Sequence, residues 1–364
     1  MAQALPRPGA IRLATAAGAD SHPLRMPSAW KNLRAAVPGP FLTALGLGAG
    51  FFAFVAWDQS HWWHAKDDYS FGWLVPLFAI YVVHDRWAQI LAALQACAAT
   101  GSPRAAGAGR SLLWFVVIAA LVFGVVAFLL GALLRAGSGA SPPGTLALTL
   151  GAVAITLPLL FAAAPDSRTP GRGTVFSDAR VGLVAWFVFP VLVWLVSAPM
   201  ISAVENQLNV FLLRKVVTVV AFVFDTLGLP IEQQGNVLVL PTGNVGVEEA
   251  CSGIRSLTGC LFAGSFLAAV FLEKRWKKIA LVVAALLLAF VTNLARSLFL
   301  TAWAYNHGPE SIGGAVHDIA GYAVLGLTVA GLLCLVPVLN LKLMSGAVPA
   351  AAGLKREMRA SDAG

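Results

Sequence analysis

Charged side chains are scarce in this chain. Asp, Glu, Lys and Arg make up 12% of its 364 residues, about half the share in a soluble domain, which is roughly 25%. A water-soluble globular protein of this size is excluded, because too little of its surface would be solvated. Cysteine is sparse too. Cys97, Cys251, Cys260 and Cys334 fit no zinc spacing, and Cys260 and Cys334 lie in apolar runs where cysteine packs as a small hydrophobe. A disulfide framework is therefore not expected. No phosphate-cradling glycine loop is visible, and no lipidation signal. With no basic recognition face, the net charge of +8 does not argue for nucleic acid. The first forty residues are rich in Ala, Pro and Arg without an apolar stretch beside a cleavage site, and read as a cytoplasmic tail rather than a signal peptide.

What the chain has is hydrophobicity. Apolar residues make up 58% of it and mean hydropathy is +0.78. Several runs approach or exceed the ~18 to 20 residues that span a bilayer core. The pattern predicts an all-α polytopic membrane protein with about eight transmembrane helices. They lie near 40–57, 71–84, 112–134, 145–164, 181–204, 251–272, 279–304 and 317–340. The second is short for a full crossing. The apolar segment 208–229 carries Arg214, Lys215 and Asp225 and fits an interfacial or re-entrant helix better than a ninth span. The expected organisation is a disordered cytoplasmic tail over 1–39, a membrane domain over 40–340 and a cytoplasmic tail over 341–364.

Charge placement tests the count. Arg7, Arg12, Arg25, Lys31 and Arg34 precede the first span; Arg86, Arg104 and Arg110 follow the second. Arg168, Arg172 and Arg180 follow the fourth, and the run 273–278 follows the sixth. Lys342, Lys355, Arg356 and Arg359 come after the eighth. Alternate loops are basic, so the positive-inside rule places both termini in the cytoplasm of a cell limited by this inner membrane. The outer side then holds His61–Ser70, whose tryptophans suit the headgroup layer. It also holds a long loop near 205–250 and a short one near 305–316. Within the long loop, 235–245 alternates apolar stretches with turn residues and reads as a short external β-hairpin over the helix mouth, before the sixth span.

Three residue types with complementary chemistry fall on that side. Cys251 stands where a polar loop enters the sixth span, and a helix N-terminus favours a thiolate. Arg255, four residues on, shares its helical face. Glu248 and Glu249 precede the thiol and either oppose its ionisation or cap the helix. Arg296 lies about 12 Å short of the end of the seventh span, where a charge should face the bundle interior; Asn293 shares its face at i−3. His317 opens the eighth span, followed by Asp318, and imidazole is the side chain best suited to accept a thiol proton. Each has a bland reading: a packing cysteine, a snorkelling arginine, a histidine bonded within its loop. His61, His64, Asp67 and Asp68 have metal-ligand spacing, but the tryptophans between and beside them favour an interfacial belt.

The stretch Glu249-Ala250-Cys251-Ser252-Gly253-Ile254-Arg255 follows Leu240-Pro241-Thr242-Gly243, with Asn293-Leu294-Ala295-Arg296 and then His317 and Gly321 further on. Together with the upstream Tyr69-Ser70-Phe71-Gly72-Trp73-Leu74-Val75-Pro76, these residues resemble the exosortase/archaeosortase family of integral-membrane transpeptidases. The cysteine block leans toward its bacterial exosortase branch, and the resemblance covers about 40–340. It implies a catalytic Cys251, Arg296 and His317, with Arg255, Asn293, Glu249 and Asp318 as secondary or substrate-orienting residues. It also implies membrane-anchored substrate proteins whose C-terminal sorting tail has a short motif such as Pro-Glu-Pro, one transmembrane helix and a basic end. No cofactor or metal is implied, and the acceptor is left open. Two other classes remain: a transporter using Arg296 as a solute site, and a noncatalytic scaffold of an envelope-assembly system.

Overall fold

The computed structural model describes residues 37–166, 173–246 and 254–340, apart from the side chain of Arg255. The two terminal tails anticipated from the sequence lie outside these residues. Eleven α-helices are described: α1 (Gly39–Ala65), α2 (Leu74–Asp85), α3 (Trp87–Ala98), α4 (Gly107–Ser138), α5 (Pro142–Ala163), α6 (Ala179–Ala185), α7 (Val188–Ser197), α8 (Ser202–Thr226), α9 (Ile254–Phe271), α10 (Arg275–His307) and α11 (Ala315–Asn340). A three-stranded antiparallel sheet, β1 (Glu232–Gln234), β2 (Val237–Leu240) and β3 (Gly243–Gly246), lies between α8 and α9. The chain is a multi-pass membrane protein.

The contacts assign each helix end to one of two ends of the bundle. At the sheet end, Lys66 after α1 pairs with Glu205 of α8 at 3.1 Å, and Trp63 of α1 donates to the Ser197 carbonyl closing α7. There too the Thr258 hydroxyl near the start of α9 donates to the Asp68 carbonyl, and the Thr242 hydroxyl to the Ala304 carbonyl of α10. At the other, basic end, Arg86 donates to the Ala269 carbonyl of α9 and Lys277 to the Leu339 carbonyl of α11. Followed in order, the chain passes between the ends eight times, through α1, α2 with α3, α4, α5, α6 with α7, α9, α10 and α11. This is consistent with the count of about eight spans in the sequence reading, within the six to eight that length and apolarity allow.

Length and apolarity alone select six single helices, or up to eight if each bent pair counts as one. One of the six is the 25-residue α8. Its first turn is tied to Lys66 and its last packs Phe224 with Leu238 of the sheet and Leu300 of α10. Both of its ends therefore lie at the sheet end, as expected of the 208–229 segment. The short second span gains a continuation: α2 bends by 57° into α3, a helix absent from the sequence reading, which placed Arg86 and the residues after it in a basic loop. The fifth span breaks at Trp186–Phe187 with a bend of 41° and ends at Ser197 rather than near 204. The expected hairpin is present as β2 and β3, with β1 added on the outer side of β2.

One expectation is overturned. His61–Ala65 is the last turn of α1 rather than part of a loop, and Trp62 and Trp63 are 9% and 3% exposed. Their indole N–H groups donate to the Thr145 hydroxyl and the Ser197 carbonyl, so they pack into the bundle instead of a headgroup belt. A tryptophan pair reads the same either way in sequence, because indole satisfies both settings. Gly72 shows the closeness of this packing. A Cβ there would collide with the Trp63 indole.

With lipid as solvent, helices gain little from burying apolar area and associate through close contact and internal hydrogen bonds. α5 is the central helix, 56% buried over its most apolar window against 17% for α4, which faces lipid. Gly131 and Gly151 let α4 and α5 approach to backbone contact. Buried Gln59 of α1 donates to the Thr149 hydroxyl of α5 and accepts from Ser197 of α7, at 2.8 and 2.7 Å. At the basic end, Asp178 caps α6 and is fully buried with Arg104 and Arg180 around it. Burial alone would raise its pKa, but hydrogen bonds from the Arg180 side chain, the Arg180 N–H and the Ala105 N–H outweigh this and hold it at about 2.

Candidate functional site

Arg296 and His317 meet at the sheet end. Two features of the sequence bring them there. Leu281, Ala285 and Ala289 recur at helical spacing along α10 and keep one face of it buried. The hydroxyls of Thr292 and Thr328 then join α10 to α11 at 3.0 Å, beneath the site. One turn above Thr292, the Arg296 Nη2 lies 2.8 Å from His317 Nε2. Gly321, one turn along α11 from His317, leaves room for the guanidinium: a Cβ there would be 3.7 Å from Nη2 and 3.9 Å from Cζ.

The bond has a direction. A guanidinium has only donors, so the acceptor is the Nε2 lone pair and the imidazole proton sits on Nδ1. Nδ1 faces the Asp318 carboxylate at 3.3 Å. Asp318 lies in the first turn of α11, where the helix dipole favours an anion. The chain Arg296–His317–Asp318 thus runs cation, neutral ring, anion. His317 is 38% exposed by its side chain, while the Arg296 Nε is buried and has no partner among the described residues. A buried donor left unpaired is costly, so the guanidinium has capacity for one more acceptor.

The sheet closes over this pair. Leu238, at the middle of β2, packs in one cluster with Leu300, four residues beyond Arg296, and Ala320, three beyond His317. Leu240 and Val245 pack on Ala304 and Tyr305. The Pro241–Thr242 turn brings Gly243, with φ +135°, against Pro309 in the loop between α10 and α11. The predicted hairpin therefore sits at the mouth of the pair.

Of the secondary candidates, Asp318 joins the pair and Asn293 is buried in α10 three residues before Arg296, its carbonyl accepting from Ser297. Arg255 lies in the first turn of α9, which begins at the sheet end. Cys251 and Glu249 lie outside the described residues. Thr292 and Thr328 were missed in the sequence. Their signal was available: two hydroxyls inside apolar runs, 4 and 11 residues from the singled-out Arg296 and His317.

The chain matches the family model described as transmembrane exosortase (Exosortase_EpsH) over residues 62–334. That range takes in the sheet, Arg296, His317 and Gly321, and well over half of the chain. The protein therefore belongs to the transmembrane exosortase family. No curated protein and no solved structure matches it.

Proposed function

We propose that this protein is a membrane-embedded cysteine transpeptidase or protease that cuts the C-terminal sorting tails of exported proteins. The observation that carries the reading is the Arg296–His317 pair, held under the sheet at the bundle end where α9 begins; Cys251 precedes the first residue of α9 by three positions in the chain. Family membership supports the reaction class. The basic loops of the sequence support an inner-membrane setting with the sheet end outside.

In this reading the thiol proton of Cys251 goes to His317 Nε2, and the sulfur attacks the scissile carbonyl carbon. The carbonyl electron pair moves onto oxygen and is stabilised by the Arg296 guanidinium. On collapse the C–N bond breaks, the leaving amine takes the proton from His317, and a thioester remains on Cys251. An acceptor amine resolves it as transpeptidation, water as hydrolysis. Nε2 is occupied by Arg296 in the resting arrangement, so the guanidinium must turn toward the substrate before the ring can take the proton. Asp318 holds the opposite nitrogen protonated and fixes the tautomer this requires.

The test is expression of the chain with an exported protein ending in motif, apolar helix and basic cluster, followed by mass spectrometry of its C-terminus. Wild type yields a truncated product; Cys251→Ala leaves the tail intact. Normal processing by Cys251→Ala would reject the mechanism. Solute flux into proteoliposomes that survives the substitution would favour a transporter instead.

A further inference from the structure

Far from this pair, at the basic end, a groove of about 470 Å³ opens between α7, α9 and α10. Its floor is Ser265, Ala268 and Ala269 of α9 and its walls include Leu192 of α7 and Ile279 of α10. Leu192 and Ile279 are 40% and 65% exposed, so the groove opens on the lipid-facing surface. Apart from the Ser265 hydroxyl its lining side chains are apolar, with one exception. Lys278, in the first turn of α10, lies at the groove's basic end.

We propose that this groove holds one anionic phospholipid, its acyl chain along α7 and its phosphate at Lys278. Among the described residues no carboxylate pairs with Lys278, so its charge is left for a ligand. A second cation adjoins it. Arg86 donates to the carbonyl of Ala269, a floor residue, and its guanidinium stacks over Trp186 at 5.6 Å. Lys278 lines the groove and Arg86 borders it through Ala269, and an anion between them offsets their like charge. Val188, Phe189, Leu192, Val193 and Val196 line the groove over eight residue steps of α7, about 12 Å of length, which suits an extended chain lying along the helix. A transmembrane helix is the competing occupant of any apolar groove. Its basic end falls on the same side under the positive-inside rule, and there it would meet the cations Lys278 and Arg86, of which only Arg86 has a neighbouring carboxylate among the described residues, Asp85. Charge therefore selects the anionic lipid. Basic pockets between helices on this side are suited to acidic headgroups.

Native mass spectrometry of the full chain, released from micelles with equal phosphatidylglycerol and phosphatidylcholine, tests this. One phosphatidylglycerol retained in preference to phosphatidylcholine by about fivefold, the worth of one lysine near the surface, is expected. Lys278→Gln should abolish the preference. Val283→Phe, at a half-exposed lining position, should lower retention while leaving Lys278 in place, and it serves if Lys278→Gln fails to fold. Lys274→Gln, exposed and outside the lining, should leave retention unchanged. Equal retention of the two lipids overturns the proposal, as does an equal loss in Lys274→Gln or undiminished retention in Val283→Phe. Crosslinking of Ile279 to a membrane helix in place of lipid also overturns it.

Discussion

The Nη2 of Arg296 stands 2.8 Å from the Nε2 of His317, so the only lone pair of the imidazole is spoken for by a cation. In the proposed mechanism this makes the arginine both a latent oxyanion partner and a stopper on the base. Arg296→Ala should free the base but lose the charge stabilisation. Processing of a sorting-tail substrate should then fall by about 10² to 10³, the worth of an oxyanion donor. Arg296→Lys should not restore it, since a point-charge ammonium lacks the planar fork that bonds imidazole and substrate together. Single-turnover rates on purified protein in micelles would check both.

Gly321 sets where the guanidinium rests. Gly321→Ala adds a Cβ at 3.7 Å from Nη2, an ordinary contact, and should be close to silent. Gly321→Leu should push Arg296 off His317 and lower processing at least tenfold, with the melting temperature nearly unchanged. Loss of fold in both variants would show instead that the position matters for packing.

In the proposed mechanism Asp318 acts through the tautomer of His317. Asp318→Asn removes the anion from Nδ1 while keeping an acceptor, so the loss in rate should be smaller than for Asp318→Ala. A rate by Asp318→Ala equal to wild type across the pH range would remove Asp318 from the site.

The Asp178 cluster predicts acid sensitivity at the opposite end. The folded pKa of about 2 is below the ordinary 3.8, so its contribution, about 2 kcal/mol, is complete above pH 4. It is lost as pH falls through 4 toward 2. Asp178→Asn should lower the stability of the protein in micelles at neutral pH and flatten its pH dependence between 4 and 2. The same slope in variant and wild type would assign acid sensitivity elsewhere.

Gly72 offers a packing test remote from the chemistry. Gly72→Ala places a methyl group inside the Trp63 indole and should destabilise the bundle by roughly 1 to 3 kcal/mol, in the range of overpacked cores. Trp63→Phe in the same chain makes room and should recover part of the loss.

Much of this was open to reading in the chain itself. Twenty or so apolar residues in a row cannot leave their backbone groups unpaired in lipid, so helices of spanning length follow from composition. Alternating basic loops follow the same logic one level up, and both agree with the eight passes between the bundle ends. The hairpin at 235–245 was legible because Gly235, Pro241 and Gly243 punctuate a short apolar alternation. Arg296 and His317 stood out because a charge or imidazole inside an apolar run needs a reason.

What the order of residues left undecided is pairing. Nothing local distinguishes Trp62 and Trp63 buried against Thr145 and Ser197 from the same indoles at a headgroup layer. Nothing local says that Arg104 and Asp178, 74 residues apart, share one buried site, or that Arg296 rests on His317 rather than on a carboxylate. Composition and periodicity determined that this chain is a polytopic helical membrane protein, and the placement of charge put Arg296 and His317 toward the same side of it. The tertiary structure alone decided which donor meets which acceptor, because hydrogen bonds shorter than about 3.2 Å depend on how helices far apart in the chain are rotated and set against each other.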